Sequence, residues 1–303
     1  MLSIIVAFRD VPVCSSNCLT SILQTCHILG TDSIEVILLD DHSDPNSGIL
    51  EICKGFKSVS QTRVSIVHFS QNLGYSNMCA YGLSLSRGEL ALFVSHDMIV
   101  TADYIRTLVQ TAALEPRFGV LRGTSPYIDG MPQHVCTSPF ETRTPEDIFA
   151  FSAYMARYWG LAVDEDQLLI GDSFLVRREV LDKVGVFDPR YGNFFGDLDF
   201  GLRVQRAGYR LGCAKGAWLH HDGEAHFRQQ QGRSAEPERI KAARALNVQK
   251  DYARFRQKWN AALSPVYPGV QEIPFAWLVQ QPASGLNQYQ QPLVLSKEVC
   301  ELF

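Results

Sequence analysis

The sequence has no basic excess and no long apolar run, and each absence excludes a class of protein. Its 303 residues carry 28 Lys and Arg against 32 Asp and Glu, a formal net charge of -4. Proteins that bind nucleic acid need a basic excess to neutralise phosphates, so no nucleic-acid partner is expected. No window approaches the ~18 to 20 apolar residues that span a bilayer, so we expect no integral membrane protein.

Cysteine pairs and glycine-rich phosphate loops are also missing. The eight cysteines are scattered, without a CxxC pair or a histidine at ligand spacing, which predicts reduced packing residues in a cytoplasmic protein. Neither GxGxxG nor GxxxxGK followed by Ser or Thr is present, so any nucleotide must be held in another way. The amino terminus MLSIIVAFRD meets Arg9 and Asp10 almost at once, which is typical of a first strand rather than a signal peptide.

The first third of the chain alternates short apolar runs with amphipathic stretches. LSIIVAF, IEVILLDD, TRVSIVHF and LALFVSHD predict four strands, and helical spacing lies between them over residues 18–29, 48–56 and 76–88. Strands that read as continuous Val, Ile and Leu runs predict a mostly parallel sheet covered by helices on both faces. The predicted fold class is therefore α/β, with a Rossmann-like nucleotide-binding half.

Polar side chains follow these predicted strands at the point where each one ends. In open α/β sheets, ligands bind in the crevice outside the carboxyl ends of the strands, so acids and amides gathered there predict a site. The alternative for a lone acid such as Asp97 is a helix N-cap or turn residue. The residues concerned are Arg9, Asp10, Asp40, Asp41, Gln71, Asn72, His96 and Asp97.

The middle and the end of the chain are less regular. TPEDIFAFSAYMARYWG predicts a helix with Thr144 as N-cap and Pro145 at the first helical position. Its aromatic residues either line an acceptor groove or pack into the core. The basic stretch 228–258 is predicted to be a solvated helix face. Residues 264–303, rich in Pro and Gln, are predicted to form an extended tail or a strap.

The order of several motifs resembles family 2 glycosyltransferases with the GT-A fold, over about Leu2 to Asp222. SIIVAFRD is similar to the family's first strand, and VILLDDHSD to the strand whose acids meet the nucleoside. NLGYSNMCAYGLSLSRGELALFVSHD is similar to N-x-G, a small-residue helix and a strand that ends in the D-x-D acids. GVFDPRYGNFFGDLDFGLRVQRAGY is close to the block that carries the E-D motif.

The resemblance implies a divalent metal, Mn²⁺ or Mg²⁺, at the donor diphosphate. A cation held by one or two carboxylates and the phosphates is the usual way to neutralise such a leaving group. Asp97 matches the last acid of D-x-D, which contacts the metal, whereas Ser95 stands where the first acid is expected. His220, in WLHHDG, is the predicted further ligand, and His221 and His226 are its alternatives.

The resemblance also implies a donor-binding set at the strand ends. Asp41 matches the acid that recognises the base, because a carboxylate accepts from an imide N–H or from ribose hydroxyls. The alternative is that Asp40 and Asp41 merely cap a turn. Arg228 lies on a Gln- and Gly-rich stretch that would close over the donor and bind its diphosphate. The predicted set is Ala7, Arg9, Asp41, Asn72, His96, Asp97 and Arg228.

Asp197 matches the catalytic base of the E-D motif. Inversion needs a carboxylate on the acceptor side of the sugar, to take the proton from the attacking hydroxyl. Gly196 replaces the family's Glu, so any help from that neighbour is lost. Asp199 and Asp172 are predicted to hold their loops or to pair with arginine.

These implications give a functional hypothesis with two alternatives. The expected protein is an inverting glycosyltransferase that is cytoplasmic or lies at the inner face of the membrane. It moves a sugar from a UDP-linked or dTDP-linked donor to a hydroxyl acceptor. The acceptor is a polysaccharide, a lipid-linked glycan or a protein. The first alternative is a degenerate GT-A domain that binds without turnover, because Ser95 and Gly196 depart from the pattern. A nucleotidyltransferase would need a glycine-rich loop after the first strand, and AFRDVPVCSSN contains no glycine.

The predicted domain boundaries follow the motifs. Residues 1–227 form the GT-A domain, divided at residue 100 into a nucleotide-binding half and an acceptor and catalytic half. Residues 228–263 form a lid and a basic helix, and 264–303 the tail, so that the C-terminal part is a helical and extended extension. The tail would act as a strap in a homo-oligomer, bind the acceptor or stay disordered.

Overall fold

The computed structural model describes residues 1–139, 142, 144–223, 237–281 and 300–302. Its strands are β1 (Leu2–Phe8), β2 (Ile34–Asp40), β3 (Arg63–Phe69), β4 (Leu90–Ser95), β5 (Met98–Ile99), β6 (Phe118–Thr124), β7 (Val163–Asp166), β8 (Ser173–Arg177), β9 (Arg210–Trp218), β10 (His220–His221) and β11 (Cys300–Leu302). Its α-helices are α1 (Pro12–Leu29), α2 (Ile49–Val59), α3 (Tyr75–Leu85), α4 (Ala102–Leu114), α5 (Pro145–Trp159), α6 (Arg178–Val184), α7 (Gly196–Arg206), α8 (Pro237–Trp259) and α9 (Phe275–Gln280). Turns of 3-10 helix lie at Pro45–Ser47, Pro132–His134 and Val270–Glu272.

A nine-stranded sheet in the order β11-β3-β2-β1-β4-β8-β6-β9-β7 forms the centre of the described structure. β1 pairs in parallel with β2 and β4, β2 with β3, and β6 with β9. β8, β7 and β11 run antiparallel to their neighbours. Most strands therefore point in one direction, which confirms the α/β fold that the continuous apolar runs predicted.

Alternating side chains along β1 explain how both faces of the sheet are covered. Ile4 and Val6 are buried in one apolar cluster with Ile22 of α1. Ile5 is buried in a second cluster with Met78 of α3. Successive strand residues point to opposite faces, and each buried aliphatic side chain contributes about 2 kcal/mol to folding. The sheet is thus held from both sides, and its carboxyl edge is left for polar residues.

The start of α1 and the end of α3 differ from the sequence prediction. Helix α1 begins at Pro12 rather than at residue 18, because proline has a preset φ and lacks the N–H that a first turn leaves unpaired. Helix α3 ends at Leu85, before the predicted stop at Gly88. Gly88 instead packs against β1, where a Cβ would lie 2.7 Å from Ser3 N.

The described part of the predicted tail contains a helix as well as extended chain. Phe275 and Leu278 of α9 are buried in a cluster with Leu202 of α7 and Phe255 of α8, since their i, i+3 spacing places them on one helix face. β11 pairs antiparallel with the edge strand β3. The tail therefore packs on the domain at two places.

Three further predictions concern local features. Helix α5 begins with the predicted cap, because Thr144 Oγ1 accepts from Asp147 N and the Asp147 carboxylate accepts from Thr144 N. Among its aromatic residues Phe151 is buried, whereas Tyr154 and Tyr158 are exposed. Seven cysteines are free thiols, namely Cys14, Cys18, Cys26, Cys53, Cys79, Cys136 and Cys213. A search of the same residues finds no helix of the length and apolarity that crossing a membrane requires.

Candidate active site

A cavity of about 480 Å³ opens at the carboxyl ends of β1 and β4. One side, which we call the strand-end wall, contains five residues that follow or end these strands and β2. The opposite side, which we call the α8 wall, comes from the loop before α7 and from one face of α8. The strand-end wall consists of Ala7, Arg9, Asp41, Ser95 and His96; the α8 wall consists of Asn193, Phe194, Ile240, Ala243, Arg244 and Asn247.

Asp41 is buried at the junction of the strand-end wall and α3. Its carboxylate accepts from Leu73 N at 2.6 Å, Gly74 N at 3.1 Å and Asn72 Nδ2 at 2.5 Å. Burial raises the pKa of Asp41, although the hydrogen bonds from Leu73 and Gly74 lower it. Asn72 thus reaches the site by orienting Asp41, and it is not among the residues that line the cavity.

The neighbouring acid, Asp40, has a different role. Its carboxylate accepts from Ser43 N at 3.1 Å and contacts His68 Nδ1 at 2.7 Å. Asp40 is buried and therefore holds the loop after β2. Of the acidic pair at this strand end, only Asp41 lines the cavity.

At the D-x-D position, the side chains of Ser95 and His96 both contact backbone carbonyls. Ser95 Oγ donates to the Asp172 carbonyl at 2.9 Å. His96 Nδ1 is 3.1 Å from the Ala7 carbonyl, to which it can only donate. Burial lowers the pKa of His96. Ser95, which replaces the first acid, is therefore hydrogen-bonded to the backbone directly before β8.

Asp97 is buried beside His221, and the two belong to a larger charged cluster. His221 Nε2 lies 3.3 Å from Asp97 Oδ1, and its Nδ1 lies 3.6 Å from Asp172 Oδ2. Asp172 is paired with Arg122 at 3.0 Å. Burial lowers the pKa of His221, but the hydrogen bond to Asp97 and the charges of both acids raise it by more.

Asp97 and His221 fit a divalent metal as a two-residue ligand set. His221 Nδ1 is 2.9 Å from the Tyr127 carbonyl, and donation to a backbone carbonyl is what orients a ligating imidazole so that Nε2 faces the ion. No group of three potential ligand side chains is found within the described residues. Mg²⁺ and Mn²⁺ are compatible with few protein ligands when substrate phosphates and water complete the shell.

The structure brings His221, rather than the predicted His220, to Asp97. β10 pairs with β5 so that His221 is opposite Met98 and His220 opposite Ile99. The two side chains leave the strand on opposite sides. His220 Nε2 lies instead 3.2 Å from Asp222 Oδ1, and this contact lowers the pKa of Asp222.

Asp197 lies in the first turn of α7 and is held by backbone amides. Gly171 N donates to its Oδ2 at 3.0 Å and Leu198 N to its Oδ1 at 2.9 Å. Burial, and to a smaller extent the charge of Asp172, raise the pKa of Asp197 to about 6, even though these hydrogen bonds lower it. A carboxylate with this pKa is ionised at neutral pH and can accept a proton readily.

The glycine at position 196 has a steric explanation. A Cβ at Gly196 would collide with Ser76 Oγ of α3, so the family's Glu does not fit here. The preceding residue, Phe195, adopts a left-handed backbone with φ of 67°, which costs about 1 kcal/mol or more for a non-glycine residue. The turn that presents Asp197 is therefore tightly constrained.

The other two acids of this region are ion-paired. Asp199 is fully buried, and Arg203 Nε donates to its Oδ2 at 2.9 Å. Asp172 pairs with Arg122. Both contacts agree with the pairing expected for these acids. Arg228, together with the alternative ligand His226, lies outside the described residues.

Several residues of the site were not foreseen from the sequence. Tyr75, at the start of α3, lines the cavity and donates its hydroxyl to the Gly171 carbonyl, next to Asp197. Asn193 and Phe194 precede Asp197 by a few positions. Their place in a loop of polar and aromatic residues, just before the matched catalytic acid, is the sequence feature that could have identified them as site residues. Arg244 lies in a basic stretch and had no comparable signal.

Comparisons with known proteins agree with the architecture. The sequence model of Glycosyl transferase family 2 matches residues 3–185. Glycosyltransferase GlyG of Streptococcus pneumoniae serotype 4 is 32% identical over 110 residues, which are 36% of this chain and 34% of that protein. The matched segment thus spans about a third of that relative.

Solved structures share the fold at low sequence identity. The mannosyltransferase PcManGT of Pyrobaculum calidifontis, in complex with GDP-Man and Mn²⁺, has a TM-score of 0.51 at 15% identity, over 92% of this chain and 78% of that one. Residues 1–349 of TarS of S. aureus give 0.51 at 14%, over 91% and 77%. GalNAc-T7 with UDP, GalNAc and Mn²⁺ gives 0.58 at 12%, over 86% and 48%. The predicted GT-A fold is confirmed.

Proposed function

The chain belongs to glycosyl transferase family 2, and from that premise we propose that it transfers a sugar from a nucleoside diphosphate donor to a hydroxyl acceptor with inversion. Asp197 carries the proposal, as a carboxylate of raised pKa fixed by two amides beside the cavity. UDP and dTDP are the donor classes that the frequency of donors within the family favours. The acceptor is a polysaccharide, a lipid-linked glycan or a protein.

The proposed step is a single displacement at the anomeric carbon. The acceptor oxygen forms the new bond to that carbon, and the bond to the diphosphate oxygen breaks with its electron pair on the leaving group. Asp197 takes the acceptor proton as the charge develops. The amides of Gly171 and Leu198 keep both carboxylate oxygens in place, so little reorganisation is needed during the reaction.

Nucleoside recognition falls to the strand-end wall in this proposal. Asp41 would accept from the base or the ribose, in the orientation that Asn72 and the amides of Leu73 and Gly74 impose. Arg9 lines the same wall with its side chain 35% exposed, so a phosphate could reach its guanidinium. Ala7 and His96 would contact the nucleoside from the ends of β1 and β4.

Asp97 and His221 are the residues that we propose as ligands for Mn²⁺ or Mg²⁺, with His221 in place of His220. A bound cation would supply positive charge to the departing diphosphate. PcManGT and GalNAc-T7 were solved with Mn²⁺, which supports the choice of metal. The Tyr127 carbonyl and the Asp172 carboxylate would keep the His221 ring oriented. The predicted cytoplasmic location, at the membrane face for a lipid-linked acceptor, is kept in this proposal.

The second candidate is a domain that binds a sugar nucleotide without turnover. It is favoured by Ser95, which bonds to the Asp172 carbonyl in place of the missing acid, and by the loss of Glu at position 196. The fixed, raised-pKa carboxylate of Asp197 weighs against it, because a binding module has no use for a proton acceptor of this kind.

Calorimetric titration with UDP, dTDP, GDP and CDP, each with and without Mn²⁺, tests the proposal. We expect one nucleotide to bind in a metal-dependent manner, and Asp97→Ala to remove most of the metal effect. The matched nucleotide sugar should then release nucleoside diphosphate when acceptors are added. If a nucleotide binds but no acceptor causes release of nucleoside diphosphate from the nucleotide sugar, the second candidate is favoured. If none of the four nucleotides binds, both candidate functions are contradicted.

A further inference from the structure

The α8 wall lies beyond the residues that match the family model. That match ends at residue 185, whereas the cavity continues to Asn247. The residues that α8 contributes are spaced i, i+3, i+4 and i+7, so they share one helix face. One side of the cavity is therefore formed by residues outside the matched segment, among them a C-terminal helix.

The chemistry of the α8 wall suits a sugar ring. The Arg244 guanidinium carbon lies 5.9 Å from the centre of the Phe194 ring, and the carboxamides of Asn193 and Asn247 line the same space. Planar amide and guanidinium groups bond to hydroxyls at the edge of a pyranose, and an aromatic face packs against its C–H groups. Arg244 also lies 3.8 Å from Asp129, whose side chain is 72% exposed, and such an exposed pair is weak.

Buried ion pairs fix α8 against the loop that carries the rest of the wall. Lys258 Nζ lies 2.9 Å from Asp188 Oδ2 and 2.6 Å from Asp199 Oδ1, and all three side chains are buried. These acids lie on either side of the loop of residues 189–195, with Asp188 directly before it and Asp199 in the first turn of α7 after it. The C-terminal half of α8 is therefore ion-paired to residues on both sides of the loop.

Asp251 connects the same helix to the middle of the loop. One oxygen, Oδ2, accepts from both Gly192 N and Phe194 N at 3.2 Å. These amides flank Asn193, whose Oδ1 in turn accepts from Tyr75 N at 2.9 Å. The positions of Asn193 and Phe194 thus depend on α8, and the wall behaves as one preorganised unit.

We propose that Arg244 and Asn247 form a sugar-binding subsite with Asn193 and Phe194, and that this subsite selects the sugar of the donor or of the acceptor. The inference rests on the proposed function. It adds two specificity-determining residues that lie outside the family-matched segment.

The test compares Arg244→Ala and Asn247→Ala with Arg239→Ala, an exposed arginine on the same helix that is not among the cavity-lining residues. Calorimetry measures binding of UDP and UDP-glucose, or of dTDP and dTDP-glucose, to the full chain. Kinetics measures KM for a panel of methyl glycosides as acceptors. Arg244 is partly buried and Asn247 is exposed. Both variants are therefore expected to fold.

If the subsite holds the donor sugar, both variants lose about tenfold or more in affinity for the nucleotide sugar and keep their affinity for the nucleotide. If the subsite holds the acceptor sugar, the affinities for the nucleotide and for the nucleotide sugar both stay unchanged. The KM for the acceptor then rises by about tenfold or more. Variants that match Arg239→Ala in every measurement, or that lose nucleotide affinity equally, overturn the inference. A wild type that binds none of the nucleotides instead contradicts the proposed function.

Discussion

The strand-end wall and the α8 wall of the cavity are held in place by different forces. The first follows strands whose side chains are buried on both faces of the sheet, so local apolar packing fixes it. The second depends on Lys258, which pairs with Asp188 directly before the 189–195 loop, and on Asp251, which accepts from a backbone amide within the loop, both across long sequence separations. A site of this kind combines a rigid nucleoside edge with a wall whose position depends on a few buried charges.

The energetic consequence also differs. Losing one methyl group in the strand packing costs about 1 kcal/mol. Removing one partner of a buried ion pair costs about 3–5 kcal/mol, because the other charge is left in a low-dielectric site. The α8 wall is therefore the more vulnerable half of the cavity, and substitutions there separate stability from recognition.

The largest expected effect belongs to Asp197, which is hydrogen-bonded to Gly171 beside the cavity-lining Tyr75. Asp197→Asn should reduce the transfer rate by about 10²–10⁴-fold, because the amide cannot take the acceptor proton. Nucleotide affinity should change little, since the strand-end wall is intact. Single-turnover transfer and calorimetry on the same preparation measure both quantities.

The control for that variant is Asp199→Asn, which alters an acid on the same helix that pairs with Arg203. It should destabilise the fold and, although Asp199 also pairs with Lys258 of α8, lower the rate per folded molecule far less than Asp197→Asn does. Equal rates for Asp197→Asn and the wild type would show that another residue is the base.

Lys258→Met sharpens the contrast in stability. We expect a loss of about 3 kcal/mol in the free energy of unfolding, because Asp188 and Asp199 lose a shared cation. Urea denaturation at pH 7 measures it, and Lys241→Met, which removes an exposed lysine from the same helix, should cost under about 1 kcal/mol.

The pH dependence of stability adds a second readout for Lys258→Met. Burial raises the pKa of Asp188, but Arg190 and Lys258 lower it by more, to about 2. A depressed folded-state pKa contributes stability that is present above about pH 4 and lost as the pH falls through about 2. The variant should lose part of this acid-dependent stability, and an unchanged acid transition would contradict the assigned pairing.

The substitution Asp41→Asn tests the strand-end wall and is expected to have the smallest effect of these variants. Nucleotide affinity should fall by about tenfold, because an amide presents one acceptor oxygen where the carboxylate presents two. Fold stability should fall by less than for Lys258→Met. An unchanged nucleotide affinity would favour the turn-cap interpretation of Asp41, with Asp40→Asn as the variant for comparison.

Features fixed by local pattern could be read from the sequence. The strand runs, the acids at their ends and the Thr144 N-cap all depend on neighbours within a few residues. The roles that depend on tertiary contacts could not. Whether His220 or His221 meets Asp97 is decided by the pairing of β10 with β5, and two adjacent histidines carry no sign of that register.

The α8 wall shows the same limit more strongly. Arg244 lies in a basic stretch that reads as a solvated helix face, and its place in the cavity follows from the anchoring of α8 by Lys258 and Asp251. The glycine at position 196 looked like a lost catalytic neighbour, whereas its cause is the close approach of Ser76. Both facts exist only in three dimensions.

The pH dependence of kcat/KM for transfer tests the central claim most directly, namely that Asp197 is the base. Its pKa of about 6, raised mainly by burial, means that the active carboxylate is lost as the pH falls, so kcat/KM should drop about tenfold per pH unit well below pH 6. The residual activity of Asp197→Asn should lack this limb. A limb that persists unchanged in Asp197→Asn would contradict the assignment.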